Sequence, residues 1–110
     1  MWTYHAARHV VGEPAVVHLA LADLVATRWG GRVHTVLDAA DEHLVAIASD
    51  DRSDAADVWL TWRTVVRPDG TRVELQLDEL ERGPDPTDAL DALLDTLAER
   101  LRRPPAIADP

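Results

Sequence analysis

Two histidines near the N-terminus, His5 and His9, are four residues apart, the spacing that puts two metal ligands on one face of a helix. The segment from Trp2 to Val11 is nevertheless rich in Trp, Thr, Tyr and Val with polar residues between them, a pattern that favours a strand. In a strand the two histidines lie roughly 13 Å apart. No third ligand is near in sequence, so we expect no metal site and no other cofactor.

Three aspartates, Asp50, Asp51 and Asp54, share the polar segment 49–56 and have the composition of a calcium loop. They lack the Asp/Asn spacing, the sixth-position glycine and the closing glutamate of such a loop, so we predict a solvated loop. The sequence contains no G-x-S-x-G, P-loop, H-E-x-x-H or Gly-rich dinucleotide motif. We therefore predict no catalytic residues, and the sequence favours a non-enzymatic role.

Charge and composition limit the partners of the chain. Twenty Asp and Glu against eleven Lys and Arg give a formal net charge of −9, which argues against nucleic acid and suits a basic protein partner. Because cysteine is absent, there is no disulfide framework. No apolar run reaches the roughly 18 residues of a membrane span, and the N-terminus lacks the order of a signal peptide, so we expect a cytoplasmic protein without membrane contact.

The segment from Asp57 to Leu80 predicts a β-hairpin. Its two arms alternate between apolar and polar residues, and Pro68, Asp69 and Gly70 supply the turn between them. A four-residue loop, Arg67 to Gly70, matches the apolar faces of the arms, because it pairs Trp62 with Leu75, Leu60 with Leu77 and Arg63 with Glu74. We expect Trp62 to be more buried than Trp59.

A helix is predicted from Pro14 to about Trp29, with Gly30 and Gly31 ending it. Apolar side chains nearly encircle this helix, so it needs cover on more than one side, and we expect a homodimer. His18 and Asp23 are its polar exceptions, and we place both on a narrow stripe facing solvent.

Two further strands are predicted at 32–37 and 43–49, and the sequence leaves open which of their faces points inward. After Gly83, Asp85 can cap a second helix. This helix carries leucines on one stripe, and we expect it to cover the apolar face of the hairpin. The stripe consists of Leu90, Leu93, Leu94, Leu97 and Leu101.

The order of these elements predicts an α+β fold with one antiparallel sheet of about five strands. One helix follows the first strand, and a long C-terminal helix packs on the concave face of the sheet. We expect a single domain over residues 1–102 and a flexible tail over 103–110.

Three stretches, GEPAVVHLALADL, WLTWRTVVRPDGTRVELQLDE and ALDALLDTLAERL, resemble the START-like helix-grip superfamily. That superfamily includes polyketide cyclase-type proteins and proteins that bind hydrophobic molecules. The resemblance covers most of the chain without a diagnostic motif. It implies a helix-grip fold with a hydrophobic ligand between the sheet and the C-terminal helix, although members of the superfamily usually have longer chains and more strands.

Four residues on the predicted inner face carry polar groups and are our candidates for lining a ligand pocket: Tyr4, Arg8, Trp62 and Thr64. We predict a non-enzymatic module that binds a small hydrophobic or aromatic molecule. Two alternatives remain: an acidic protein-interaction module of the immunity or accessory type, and a cyclase-like or dehydratase-like enzyme.

Overall fold

The computed structural model of this chain describes residues 1–30, 33–39, 42–48, 56–80 and 83–102. In chain order the elements are β1 (Trp2–Val10), α1 (Pro14–Trp29), β2 (Val33–Asp38), β3 (Glu42–Ala48), β4 (Ala56–Arg67), β5 (Gly70–Glu79) and α2 (Thr87–Arg102). The five strands form one antiparallel sheet in the order β1-β5-β4-β3-β2, and both helices pack against it. The predicted α+β, helix-grip-like class is therefore confirmed.

The central hairpin has the predicted register. Trp62 lies opposite Leu75 and Arg63 lies opposite Glu74. The predicted four-residue loop is wrong in length, because the pairing continues to Arg67 and Gly70 and leaves only residues 68 and 69 between the arms, in the same register. Trp62 is 1% exposed and Trp59 is half-buried, which confirms the predicted order of burial. Burial of the apolar face has fixed the register, as expected for a sheet covered on one side.

Helix α2 covers the β1 side of the sheet. Four of the five predicted leucines, Leu90, Leu93, Leu94 and Leu97, are buried and the fifth is half-buried. Burying each one contributes about 1.5 to 3 kcal/mol. Asp85 caps the helix by accepting hydrogen bonds from the side chain and the backbone of Thr87, and these bonds lower the pKa of the Asp85 carboxyl.

Helix α1 begins and ends as predicted, at Pro14 and Trp29. Val17, Leu21 and Val25 are buried on one stripe, while Leu19 remains 69% exposed. The helix packs against α2, and an ion pair of 2.6 Å joins Asp23 to Arg100 across the two helices. One side of α1 is thus covered by the sheet and another by α2, and its outer side is open.

The structure shows which face of β2 and β3 points inward, a question that the sequence left open. His43, Val45 and Ile47 point toward the helices, and Leu44 and Ala46 alternate with them on the other face. A register shift between Thr35 and Leu37 interrupts the pairing of β2 with β3. The predicted loop at 49–56 lies outside the described residues except for its last position, and the predicted tail at 103–110 lies wholly outside them.

Neither described helix is long and apolar enough to span a membrane.

Candidate functional site

A row of directly paired residues crosses all five strands at the level of Trp62. From β1 to β2 the row is Ala6, Leu75, Trp62, His43 and Asp38. Trp62 and His43 are directly opposed in adjacent strands, and Asp38 is opposite His43 on the far side. Direct pairs are the closest side-chain neighbours that a sheet provides. The row therefore brings a carboxylate, an imidazole and an indole together, although they come from three separate strands.

Helix α1 adds a second imidazole to this row. The indole Nε1 of Trp62 donates a hydrogen bond of 3.1 Å to Nδ1 of His18. The His43 ring stacks on Trp62 with centroids 4.4 Å apart, and the His18 and His43 rings meet edge to face at 4.9 Å. We call His18, His43 and Trp62 the ring cluster.

Asp38 lies at the mouth of the ring cluster. Its Oδ1 atom is 3.2 Å from Nδ1 of His43 and 3.7 Å from Nε2 of His18. An ionised carboxylate only accepts hydrogen bonds, so Nδ1 of His43 must carry the proton of that bond. Nδ1 of neutral His18 accepts from Trp62, which leaves the His18 proton on Nε2, facing Asp38. Both imidazoles therefore direct an N–H group toward one carboxylate oxygen.

Exposure increases from the indole to the carboxylate. The side chain of His43 is 7% exposed, that of His18 is 23% exposed and that of Asp38 is 65% exposed. In the described part of the chain, His18, Asp38 and His43 are the one group of three side chains able to hold a metal ion. The same arrangement could also orient His43 as a base, because a carboxylate on one ring nitrogen fixes the tautomer.

None of the patterns in the sequence predicts this group. His18 was predicted to face solvent, and that prediction is wrong because α1 crosses the sheet above Trp62, which gives His18 a buried partner. The alternation of β3 carried a usable signal, since it places His43 on the same face as Val45 and Ile47. The crossing of the helix over the sheet has no local signal in the sequence.

The four predicted ligand residues share the face of the sheet that packs on the helices. Arg8 and Thr64 lie on opposite sides of Val73, and Arg8 forms an ion pair with Asp95 of α2. Tyr4 is half-buried against the core near the edge of the sheet. Only Trp62 belongs to the ring cluster. The buried Val73 and Leu75 of β5 lie between β1 and β4, the two strands that carry the four residues. A ligand bound among the four residues stays a prediction.

A second candidate site is a groove between the two helices, with a volume of about 300 Å³. We call it the interhelix groove, and it is lined by Leu24, Thr27, Arg28, Ala89, Ala92, Leu93 and Thr96. A more polar cleft of about 370 Å³ lies on the uncovered face of the sheet, where Arg63 sits beside Glu42 and Glu74. Of these two, the interhelix groove has the larger share of apolar lining.

Comparison with known proteins shows the fold alone. No family model and no curated protein matches the sequence. Protein CV1439 from Chromobacterium violaceum superposes with a TM-score of 0.68 at 13% identity, over 93% of this chain and 98% of its own. Protein MLL2253 from Mesorhizobium loti gives 0.65 at 13% identity, over 89% and 95%. Both neighbours are matched over nearly their whole length, so the compact five-strand, two-helix form is shared by other chains.

The Zhui aromatase/cyclase from Streptomyces sp. R1128 aligns with 90% of this chain and 86% of its own at 18% identity. Its TM-score of 0.34 is too low to carry an argument about activity.

Proposed function

We propose that this chain is a non-enzymatic binding module for a small hydrophobic or aromatic molecule, and that the molecule binds in the interhelix groove. The observation that supports the proposal is an apolar groove with a polar rim between two packed helices. Ligand sites typically have an apolar lining with a few polar groups, and volumes from about 300 Å³ upward. The groove lies at the lower end of this range.

The lining favours an apolar occupant. Leu24 and Ala89 are half-buried and Leu93 is buried, so all three present apolar surface at the groove. The hydroxyls of Thr27 and Thr96 donate to backbone carbonyls of their own helices, at 2.9 Å in each case. Since an engineered apolar cavity of about 150 Å³ can hold benzene, a groove of this size suits a molecule of one or two rings.

Arg28 is a charged residue of the groove lining, and it also contacts the fluorescent side chain of Trp29. The guanidinium carbon of Arg28 lies 5.3 Å from the ring centroid of Trp29. A ligand with an acceptor group can draw Arg28 away from this ring, because a guanidinium binds both aromatic faces and oxygen acceptors. Binding in the groove should therefore change the fluorescence of Trp29 more than that of Trp62.

The test combines native mass spectrometry of the purified chain with a panel of one-ring and two-ring compounds. We expect a bound small molecule or a raised melting temperature, together with a fluorescence change that Trp29→Phe abolishes and Trp62→Phe retains. The reverse dependence would move the ligand to the predicted pocket around Trp62. A panel with no change in fluorescence or melting temperature would contradict the proposal.

An interaction surface is the second candidate function, and exposed apolar side chains favour it. Val16 and Leu19 of α1 are 52% and 69% exposed, and Val36 of β2, an edge strand packed beside α1, is 61% exposed. We propose a homodimer through the outer side of α1, which carries Val16 and Leu19. Two copies of charge −9 repel each other, so salt should strengthen the dimer, whereas salt should weaken a complex with a basic partner. Light scattering that shows a monomer at high micromolar concentration and high salt would contradict the dimer.

A further inference from the structure

We propose that His18, Asp38 and His43 form a binding site for a divalent transition-metal ion such as Zn²⁺ or Ni²⁺. The site is separate from the interhelix groove and goes beyond the proposed function. Imidazole and carboxylate ligands suit these ions, and two histidines with one carboxylate are a recurrent ligand set that leaves positions for water or a further ligand.

The distances between the ligand atoms are close to those that an ion requires. With bonds of about 2.0 to 2.1 Å, two donor atoms on a tetrahedral ion are about 3.3 to 3.4 Å apart. Oδ1 of Asp38 is 3.2 Å from Nδ1 of His43 and 3.7 Å from Nε2 of His18. All three ligand atoms lie within 4.8 Å of one another. The His43–Asp38 distance already fits an ion, whereas Nε2 of His18 must move closer to Oδ1 of Asp38, which is exposed and can adjust by rotation.

Packing holds one of the ligands in place before an ion arrives. His43 is stacked on Trp62 at an interplanar angle of 22° and is opposite it in the sheet. The sheet also sets the position of Asp38, which is paired with His43. A ligand whose orientation is already fixed loses little conformational freedom on binding, and this favours affinity.

The hydrogen bond from Trp62 to His18 competes with metal binding. If Nε2 of His18 binds a metal, the ring proton must move to Nδ1, which now accepts the hydrogen bond from Trp62. Two N–H groups would then face each other, and the buried indole would lose its acceptor. Ion binding therefore requires His18 to give up this bond. Removing the indole N–H should tighten metal binding, a result that simple damage to the core does not predict.

The test titrates the full chain, stripped by a chelator, with Zn²⁺ and Ni²⁺ against a chromophoric competitor. We expect one ion per chain. Asp38→Asn and His18→Gln should each weaken binding at least tenfold, and Trp62→Phe should strengthen it about 5- to 150-fold. The matched controls are Asp69→Asn and His5→Gln, which change exposed residues of the same types elsewhere and should leave the affinity within twofold.

Circular dichroism establishes that each variant is folded before it is titrated. Absence of stoichiometric binding to the folded wild-type chain would overturn the proposal. Wild-type affinity in both Asp38→Asn and His18→Gln would also overturn it, since the ion would then bind other surface histidines. Weaker binding by folded Trp62→Phe would overturn the competition between Trp62 and the ion. A negative result here leaves the groove proposal untouched, because no residue of the site lines the groove.

Discussion

Trp62 of β4 donates its indole N–H to Nδ1 of His18 over 3.1 Å, and this bond joins the sheet to α1 inside the core. Since Trp62 is 1% exposed, water cannot readily replace the imidazole as its partner. The largest aromatic residue of the core is thereby held by one polar contact from a helix.

His18→Ala removes this acceptor and should lower the free energy of unfolding by about 1 to 3 kcal/mol, because a buried donor is left without a partner. His18→Gln should cost less, since its amide oxygen can accept the indole N–H. Urea denaturation measures both changes. The neighbouring substitution Leu19→Ala, at a position that is 69% exposed, is the control and should stay within about 0.5 kcal/mol of wild type. Equal losses in the two alanine variants would show that the hydrogen bond contributes nothing.

Gly70 closes the central hairpin against the end of β1. Its φ is +155°, and a Cβ atom there would clash with the Val10 carbonyl oxygen. Backbone must therefore shift in Gly70→Ala, and we expect a loss of about 1 to 3 kcal/mol in thermal or chemical unfolding. Gly83→Ala is the matched control, because the nearest atom to its added Cβ is 3.8 Å away. A neutral Gly70→Ala would mean that the close approach to Val10 is not maintained.

Asp85 gives the protein a pH-dependent helix cap. Hydrogen bonds from the side chain and backbone of Thr87 lower the pKa of Asp85 below its usual 3.8. The unfolded chain then binds the proton more readily, so this contribution is complete above pH 3.8 and is lost as the pH falls through the lower, folded-state value. Wild type should lose stability relative to Asp85→Asn on acidification from about pH 5 to about pH 2.

Unfolding midpoints measured across that pH range test this cap. Thr87→Val, which removes the donating hydroxyl, should reduce the pH dependence at Asp85. Parallel curves for wild type and Asp85→Asn would contradict the lowered pKa.

Ala92 lies in the lining of the interhelix groove, and Ala92→Phe should fill part of the space without burying a charge. We expect any compound that raises the melting temperature of wild type to lose this effect, with an affinity at least tenfold weaker. Ala15→Phe makes the same change at an exposed position in the first turn of α1 and should leave the response unchanged. An unaltered response in Ala92→Phe would place the ligand elsewhere.

The hairpin and the helix ends could be predicted because their signals are local. A one-residue slip would turn the apolar face of β4 away from the core, so the alternation around Trp62 determined the register. The cap at Asp85 followed from residue types that satisfy free N–H groups. The α2 leucines followed from helical spacing.

The candidate site could not be predicted in the same way. It depends on α1 passing over β4 and on Asp38 being paired with His43. No local sequence pattern predicts either relationship. Trp62 was placed correctly on the inner face, but its partners come from positions 18, 38 and 43. The predicted partners Arg8 and Thr64 share that face and are separated from each other by Val73.

The pairing of β1 with β5 determines when β1 can find its partner during synthesis of the chain. Trp2 lies opposite Glu79, 77 residues later, whereas β2, β3 and β4 each pair with the next strand of the chain. At a translation rate of about 5 to 20 residues per second, β1 waits roughly 4 to 15 s for its partner strand. Throughout this interval the nascent chain presents an unpaired strand followed by the apolar helix α1. The edge of the sheet that is made first is thus the last to be paired, and a ribosome that stalls before Gly70 would leave a strand open to aggregation.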